Sequence, residues 1–174
     1  MSIFKKIFGG SDNSDKKSGD QKLDIERLIS ATDKNKSIIE IDNFICKLCV
    51  WGNELDKLTE PQKNFYYNQE LEREVNNGGF NLYFDNSPGG YAHETILSLK
   101  LIGADKTADI LQSAIDQFPD KSVPKDRDER QEILEKIQEN ADAIWDKLDK
   151  KFYTYEDDLN SLNIEYVRQN KNKF

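Results

Sequence analysis

The sequence predicts an all-α fold, a single compact multi-helix domain of about seven helices with a flexible N-terminal segment. Three observations predict it. Apolar residues recur every three to four positions from about residue 22 onward, the period of a helix with one buried face. No stretch shows the apolar/polar alternation of a half-buried strand. Only nine Gly and four Pro occur, and most of them punctuate the gaps between periodic stretches.

Residues 1–20 read as tail and linker, and residues 21–174 as the helical domain. "GGSDNSDKKSGD", residues 9–20, contains only Gly, Ser, Asp, Asn and Lys, the composition of a flexible linker. Its acidic residues do not make a calcium loop, because Lys16 and Lys17 occupy the middle and no Glu closes it. Ahead of it Ile3, Phe4, Ile7 and Phe8 share one helical face with Lys5 and Lys6 opposite. Two turns bury little area, so this stretch reads as a frayed terminus, with a membrane or partner hook as the other reading.

Leu23, Ile25, Leu28 and Ile29 predict a short first helix. Ile38, Ile41, Phe44, Ile45, Leu48, Cys49 and Trp51 predict a strongly apolar second one. In "LTEPQKNFYYNQELEREV", Thr59 is the expected N-cap of a third, Pro61 suits its first turn, and Phe65, Leu71 and Val75 supply its apolar face. Asn77 and Gly78 are stop signals. Phe80, Tyr83 and Phe84 then anchor a short helical turn, and Ser87-Pro88 opens the next helix, with Ile96, Leu97, Leu99, Leu101 and Ile102. Gly103 ends it. Asp105 is the expected cap of the following helix, and Pro119 and Pro124 bracket a loop. A long pattern runs from about Asp126 to Phe152, and "EDDLNSLNIEYVRQN" makes the last helix.

Composition narrows the function classes. No run approaches the roughly 18 apolar residues that span a bilayer, so no stable membrane insertion is expected. No long apolar stretch follows Lys5 and Lys6, so no secretory signal is read and a cytoplasmic location is the default. A net charge of −8 opposes direct binding to nucleic acid or anionic membrane and permits binding to a basic protein surface. Cys46 and Cys49, inside an apolar helix, read as inert core thiols rather than a redox or zinc pair.

No motif of nucleophilic, zinc-hydrolytic or nucleotide-binding chemistry appears, so no catalytic residue, cofactor or metal ligand is assigned. The pairs Gly78-Gly79 and Gly89-Gly90 lack the Lys-Ser/Thr and the preceding strand of a phosphate loop and read as turn-makers. Glu70, Glu72 and Glu74 around Arg73 read either as an acid pair or as a solvated ion-pair face. The enzyme reading that remains is a small enzyme or ligand-binding domain with a cleft near Asn76, Asn77, Tyr91 and His93. A structural or immunity-type interaction protein with an apolar patch is a third.

The clearest pattern is acidic. Asp128, Glu132, Glu135, Glu139, Asp142, Asp146 and Asp149 follow one another at spacings of 4, 3, 4, 3, 4 and 3, which places them on one strip of a helix. Ile133, Ile137, Ala141, Ile144, Leu148 and Phe152 fall on a different face, expected to be buried. Such a strip is either a partner-binding surface or the ordinary solvated side of an amphipathic helix.

"LEREVNNGGFNLYFDNSPGGYAHETILSLKLIGADKTADIL" resembles the signature of a bacterial all-helical family of largely unknown function, whose best-known member is a DNA-mimic protein that binds a transcription factor. The matching residues are Leu71, Glu74, Val75, Asn76, Asn77, Gly78, Gly79, Phe80, Tyr83, Phe84, Asn86, Tyr91, Ile102 and Gly103. "LDKKFYTYEDDL" is also similar to that family, and the resemblance spans roughly residues 38–170. It implies an all-α fold, no cofactor, a protein partner and a homodimer as one assembly. For the best-known member it implies carboxylates that imitate phosphates before a DNA-binding protein. The expected function is thus a non-enzymatic, acidic protein-interaction module, with the strip as partner-binding residues and Asn76 to Phe80, Tyr83, Phe84 and Asn86 as structural ones.

Overall fold

A computed structural model describes residues 23–174; the expectations for the tail and linker lie outside the described residues. Seven α-helices follow in order: α1 Ile25–Ser30, α2 Lys34–Leu48, α3 Glu60–Asp85, α4 Ala92–Leu101, α5 Asp105–Ile115, α6 Arg127–Phe152 and α7 Leu159–Gln169. No strand occurs among the described residues. Two apolar clusters form the interior. Phe80, Tyr83, Phe84, Leu111, Phe118, Trp145 and Phe152 centre one between α3, α4, α5 and α6. Ile41, Ile45, Phe65, Ile164 and Val167 centre the other between α1, α2, α7 and the first half of α3. α3 serves both.

Caps fix most helix starts as their residue types predict. Thr59 and Gln62 close a reciprocal capping box at α3, with Pro61 in the first turn. Asp24, Asp33, Asp126 and Asp158 cap α1, α2, α6 and α7 through their carboxylates. The expected cap Asp105 instead occupies the first turn of α5, with Ala104 at the cap position. The missing acceptor comes from elsewhere in the chain: Asp157 Oδ2 receives the Thr107 N–H at 2.8 Å and the Thr107 hydroxyl at 3.0 Å.

Gly78 and Gly79 interrupt α3 where the stop signals at Asn77-Gly78 place the end of one helix. Their backbones leave helical geometry (Gly78 φ −167°, ψ 24°; Gly79 φ 73°, ψ −172°), and the helix resumes through Asp85. A residue with a Cβ avoids the second conformation, so the glycine is required there.

α2 and α4 end in the same motif with different residues. At α4 Gly103 (φ 81°) takes the left-handed position, donating to Lys100 O at 3.1 Å while Ala104 N–H reaches Leu99 O at 2.9 Å. At α2 the left-handed residue is Val50 (φ 48°), followed by Trp51 (φ 56°) and Gly52 (φ 89°). Trp51 N–H reaches Cys46 O at 2.7 Å and Val50 N–H reaches Lys47 O at 3.4 Å. Left-handed backbone costs a non-glycine residue roughly 1–2 kcal/mol, and a β-branched one most. Trp51, expected on the buried face of α2, is 63% exposed on this turn. Cys46 and Cys49 are free and fully buried, at the end of α2 rather than its middle.

Candidate functional site

The acidic strip lies on α6, 26 residues capped by Asp126, with Asp128 and Glu129 in its first turn and Lys150 and Lys151 in its last, each sign favourable to the helix dipole. Its buried side is Leu134, Ala141, Trp145, Leu148 and Phe152, with Ile133 and Ile137 partly covered. Ile144, expected in the core, is 38% exposed; the neighbouring Trp145 takes the place, its indole N–H donating to Ala114 O at 3.1 Å. A pattern of isoleucines at spacings of three and four tolerates this rotation, because a single large aromatic outweighs one isoleucine in buried area.

That rotation divides the seven carboxylates. Asp128, Glu132, Glu135, Glu139 and Asp146 are exposed, along about 27 Å of axis at 1.5 Å per residue. Among the described residues none of the five forms an ion pair, whereas acids elsewhere in the fold do: Glu26 with Lys171, Glu156 with Lys106, Glu165 with Arg168. Asp142 and Asp149, at the edge toward α3, are half-buried and occupied. Asp142 Oδ1 accepts from Asn81 Nδ2 at 3.0 Å. Asp149 Oδ1 accepts the Phe80 N–H at 2.9 Å. Burial raises the Asp149 pKa, and the Phe80 amide partly opposes the shift.

The glycine-rich segment meets α6 at this edge. The Asp149 carboxylate lies against Gly79 so closely that a Cβ there would overlap it. Phe80 N–H is the first orphan donor of the resumed helix, so Asp149 works as its cap from 69 residues away. On the other side of the break Tyr153 Oη donates to Val75 O at 2.8 Å. Asn86 Nδ2 donates to Glu74 Oε2 at 2.8 Å, joining the two halves of α3. Asn76 Nδ2 donates to Tyr155 Oη at 2.6 Å and to Glu72 O at 2.8 Å. Phe80, Tyr83 and Phe84 are fully buried, and Asn77 and Gly78 are exposed.

One residue that holds this corner has no signal in the sequence. Arg130, in the charged run "DRDERQEIL", is fully buried. Its Nε donates to Phe84 O at 2.6 Å, Nη2 to Asn86 O at 2.8 Å, and Nη1 to Pro124 O at 2.8 Å and Lys125 O at 3.1 Å. Burial lowers its pKa, yet among the described residues no carboxylate pairs with it; the guanidinium fork is held by the carbonyl end of α3 and the loop before α6. Gly90 leaves the room: a Cβ there would come within 2.9 Å of Lys125 O and 3.3 Å of Arg130 Nη1.

The residues of the alternative cleft have separate partners. Asn76 binds Tyr155; Tyr91 stacks on Tyr67 with centroids 5.2 Å apart; His93 Nε2 accepts from Val123 N–H at 3.2 Å and is exposed. A cavity of about 390 Å³ lies elsewhere, lined by Leu23, Asp24, Ile25, Glu26, Lys171, Asn172 and Phe174. The glutamates around Arg73 also diverge. Glu70 and Asp42 pair with Arg73, Glu72 Oε1 receives Tyr155 Oη at 3.1 Å, and Glu74 serves Asn86. Burial raises the pKa of Asp42, Glu70 and Glu72. Among the described residues no group of three or more His, Cys, Asp or Glu is placed to share a metal ion, and no helix is long and apolar enough to cross a membrane.

The fold and site define a class: a helical protein with a broken central helix, whose break is capped by the same helix that carries an outward row of carboxylates with no ion pair among the described residues. The model of the DMP19-like protein family matches residues 56–170, about two thirds of the chain, and the chain belongs to that family. No curated protein and no solved structure matches it.

Proposed function

We propose that the protein acts by binding another protein, presenting Asp128, Glu132, Glu135, Glu139 and Asp146 to the basic surface of a DNA-binding protein. The supporting observation is that, among the described residues, these five exposed carboxylates have no ion pair along one helix, so no described cation must be displaced before a partner's Lys or Arg engages them. Membership of the DMP19-like family and the resemblance to a family with a DNA-mimic member point the same way. Asp142 and Asp149 support the row from beneath rather than face the partner. Duplex DNA carries one charge per ~1.7 Å of axis, so five carboxylates imitate a short run of one phosphate strand and not a whole groove.

The test is capture of partners by the full chain at low and high salt, repeated with the double variant Glu135→Lys, Glu139→Lys. Basic DNA-binding proteins should be retained at low salt, released at high salt and lost with the charge reversal. Retention of the same partners by the reversed variant would make the row ordinary solvated surface. Duplex DNA added in excess should compete for the captured partner.

A further inference from the structure

Asparagine side chains surround the glycine-rich corner, and all but one are held. Asn76 Nδ2 donates to Glu72 O and to Tyr155 Oη, Asn81 Nδ2 to Asp142, and Asn86 Nδ2 to Glu74. Asn77 is exposed, and among the described residues its side-chain amide has no hydrogen-bond partner. It is also the one asparagine of the chain that a glycine follows.

That pair has its own chemistry. The amide carbon of an asparagine side chain lies within reach of the backbone nitrogen of the next residue, and joining the two closes a succinimide ring. A Cβ on the next residue crowds the approach, and glycine has none. Because both partners sit on one chain, proximity lowers the barrier without a catalyst. Here Gly78 is exposed and has left helical geometry, with φ −167° and ψ 24°, so the reacting amide stands at the edge of the break rather than inside a regular ladder. The fold keeps this glycine for another reason: a Cβ at 78 would lie 2.9 Å from Leu82 Cβ and Cδ2. Packing thus retains the residue that makes its neighbour reactive.

We propose that Asn77 is a site of spontaneous deamidation, through a succinimide with Gly78. The Gly78 nitrogen loses its proton and bonds to Asn77 Cγ, the Cγ–Nδ2 bond breaks, and the amide leaves as ammonia with that proton. Water then opens the ring. Addition at Cγ gives aspartate; addition at the Asn77 backbone carbonyl gives isoaspartate, whose main chain runs through the side-chain methylene. No oxidant or reductant takes part. Both products add a negative charge two residues before Gly79, on which the Asp149 carboxylate rests. The isoaspartyl product also lengthens the backbone between Val75, whose carbonyl accepts from Tyr153 Oη, and Phe80, whose N–H is capped by Asp149. Ageing at this one position therefore loosens the contact between α3 and α6.

The experiment incubates the native full chain in mildly alkaline buffer and follows it by peptide mass spectrometry and by methylation with an isoaspartyl-specific methyltransferase. Conversion at Asn77 should outpace that at Asn76, Asn81 and Asn86 by at least about tenfold and yield a more acidic species on anion exchange. The native rate should stay within about tenfold of the rate in the urea-unfolded chain, because the fold leaves the pair exposed. Asn77→Gln, whose longer side chain closes the ring far less readily, should abolish the acidic species with the helical circular dichroism unchanged. The isoaspartyl fraction should unfold at lower urea than fresh protein, and Asn77→Asp, which adds the charge without lengthening the backbone, should lose less. An acidic species that persists in Asn77→Gln would overturn the proposal, as would a native rate further than that below the unfolded one.

Discussion

The Asp149 carboxylate rests on Gly79 and accepts the amide hydrogen of the next residue, Phe80, at 2.9 Å. The strip on α6 and the break in α3 are therefore parts of one joint. Asp149→Ala leaves the buried amide without an acceptor and should lower stability by about 1–3 kcal/mol. Asp149→Asn keeps an acceptor oxygen and should cost less. Gly79→Ala should cost more than either, since the new Cβ meets both the carboxylate and a left-handed backbone. Urea midpoints at constant m-value measure the order. Glu135→Lys with Glu139→Lys, on the exposed row, should leave the midpoint nearly unchanged, which separates the joint from the surface.

Arg130 should be the most sensitive charged residue in the protein. Arg130→Met removes the donor shared by Phe84, Asn86, Pro124 and Lys125 carbonyls and should lower stability by at least about 3 kcal/mol. Arg130→Lys should recover little, because an ammonium does not reproduce the planar fork. Thermal unfolding of the two variants side by side checks this.

Stability should rise as pH falls toward the ordinary carboxylate range. Burial raises the pKa of Asp42, Glu70, Glu72 and Asp149 above their ordinary values of 3.8 and 4.5. Between the ordinary and the raised values the native state binds more protons than the unfolded chain, so stability falls as pH rises through that window. Below it the direction reverses. Asp116, Asp158 and Glu165 have pKa values lowered by hydrogen bonds, and their contribution disappears as they protonate. Glu72→Gln should make the rise shallower; an unchanged slope in denaturant titrations at several pH values would contradict the assignment.

Cys46 and Cys49 should be silent to thiol reagents in the native state. Burial pushes the Cys46 thiol up to about 12 and raises Cys49 as well, so almost no thiolate forms near neutral pH. Ellman's reagent should label both only at denaturant concentrations that unfold the chain. Labelling of either under native conditions would show that the end of α2 opens locally.

Helix positions and caps were legible wherever local chemistry decides them: Thr59 and Pro61 at α3, Gly103 at α4, Asp126 at α6. The all-α class and the family followed from periodicity and from the "NNGGF" segment. What the sequence hid is what long-range contacts decide. Arg130 looks like any surface arginine until α3 closes over it, and Asp149 shares the spacing of its exposed neighbours. Trp51 keeps helical spacing but falls beyond the last turn of α2, where three left-handed residues turn it outward. The row itself was visible as a pattern; which five of its members reach solvent was not.

The second apolar cluster has a consequence in time. Its members come from residues 25–66 and then from Ile164 and Val167, and Arg168 Nη2 reaches back to Ile29 O at 2.6 Å. On a ribosome making about 5–20 residues per second, α1 and α2 wait roughly 6–24 s for α7 to complete their cluster. Truncation before α7 removes the closing wall of that half, so nascent or shortened chains should be clients for a chaperone. The other cluster also takes Leu159, Leu162 and Tyr166 from α7, so the same truncation opens both halves of the interior.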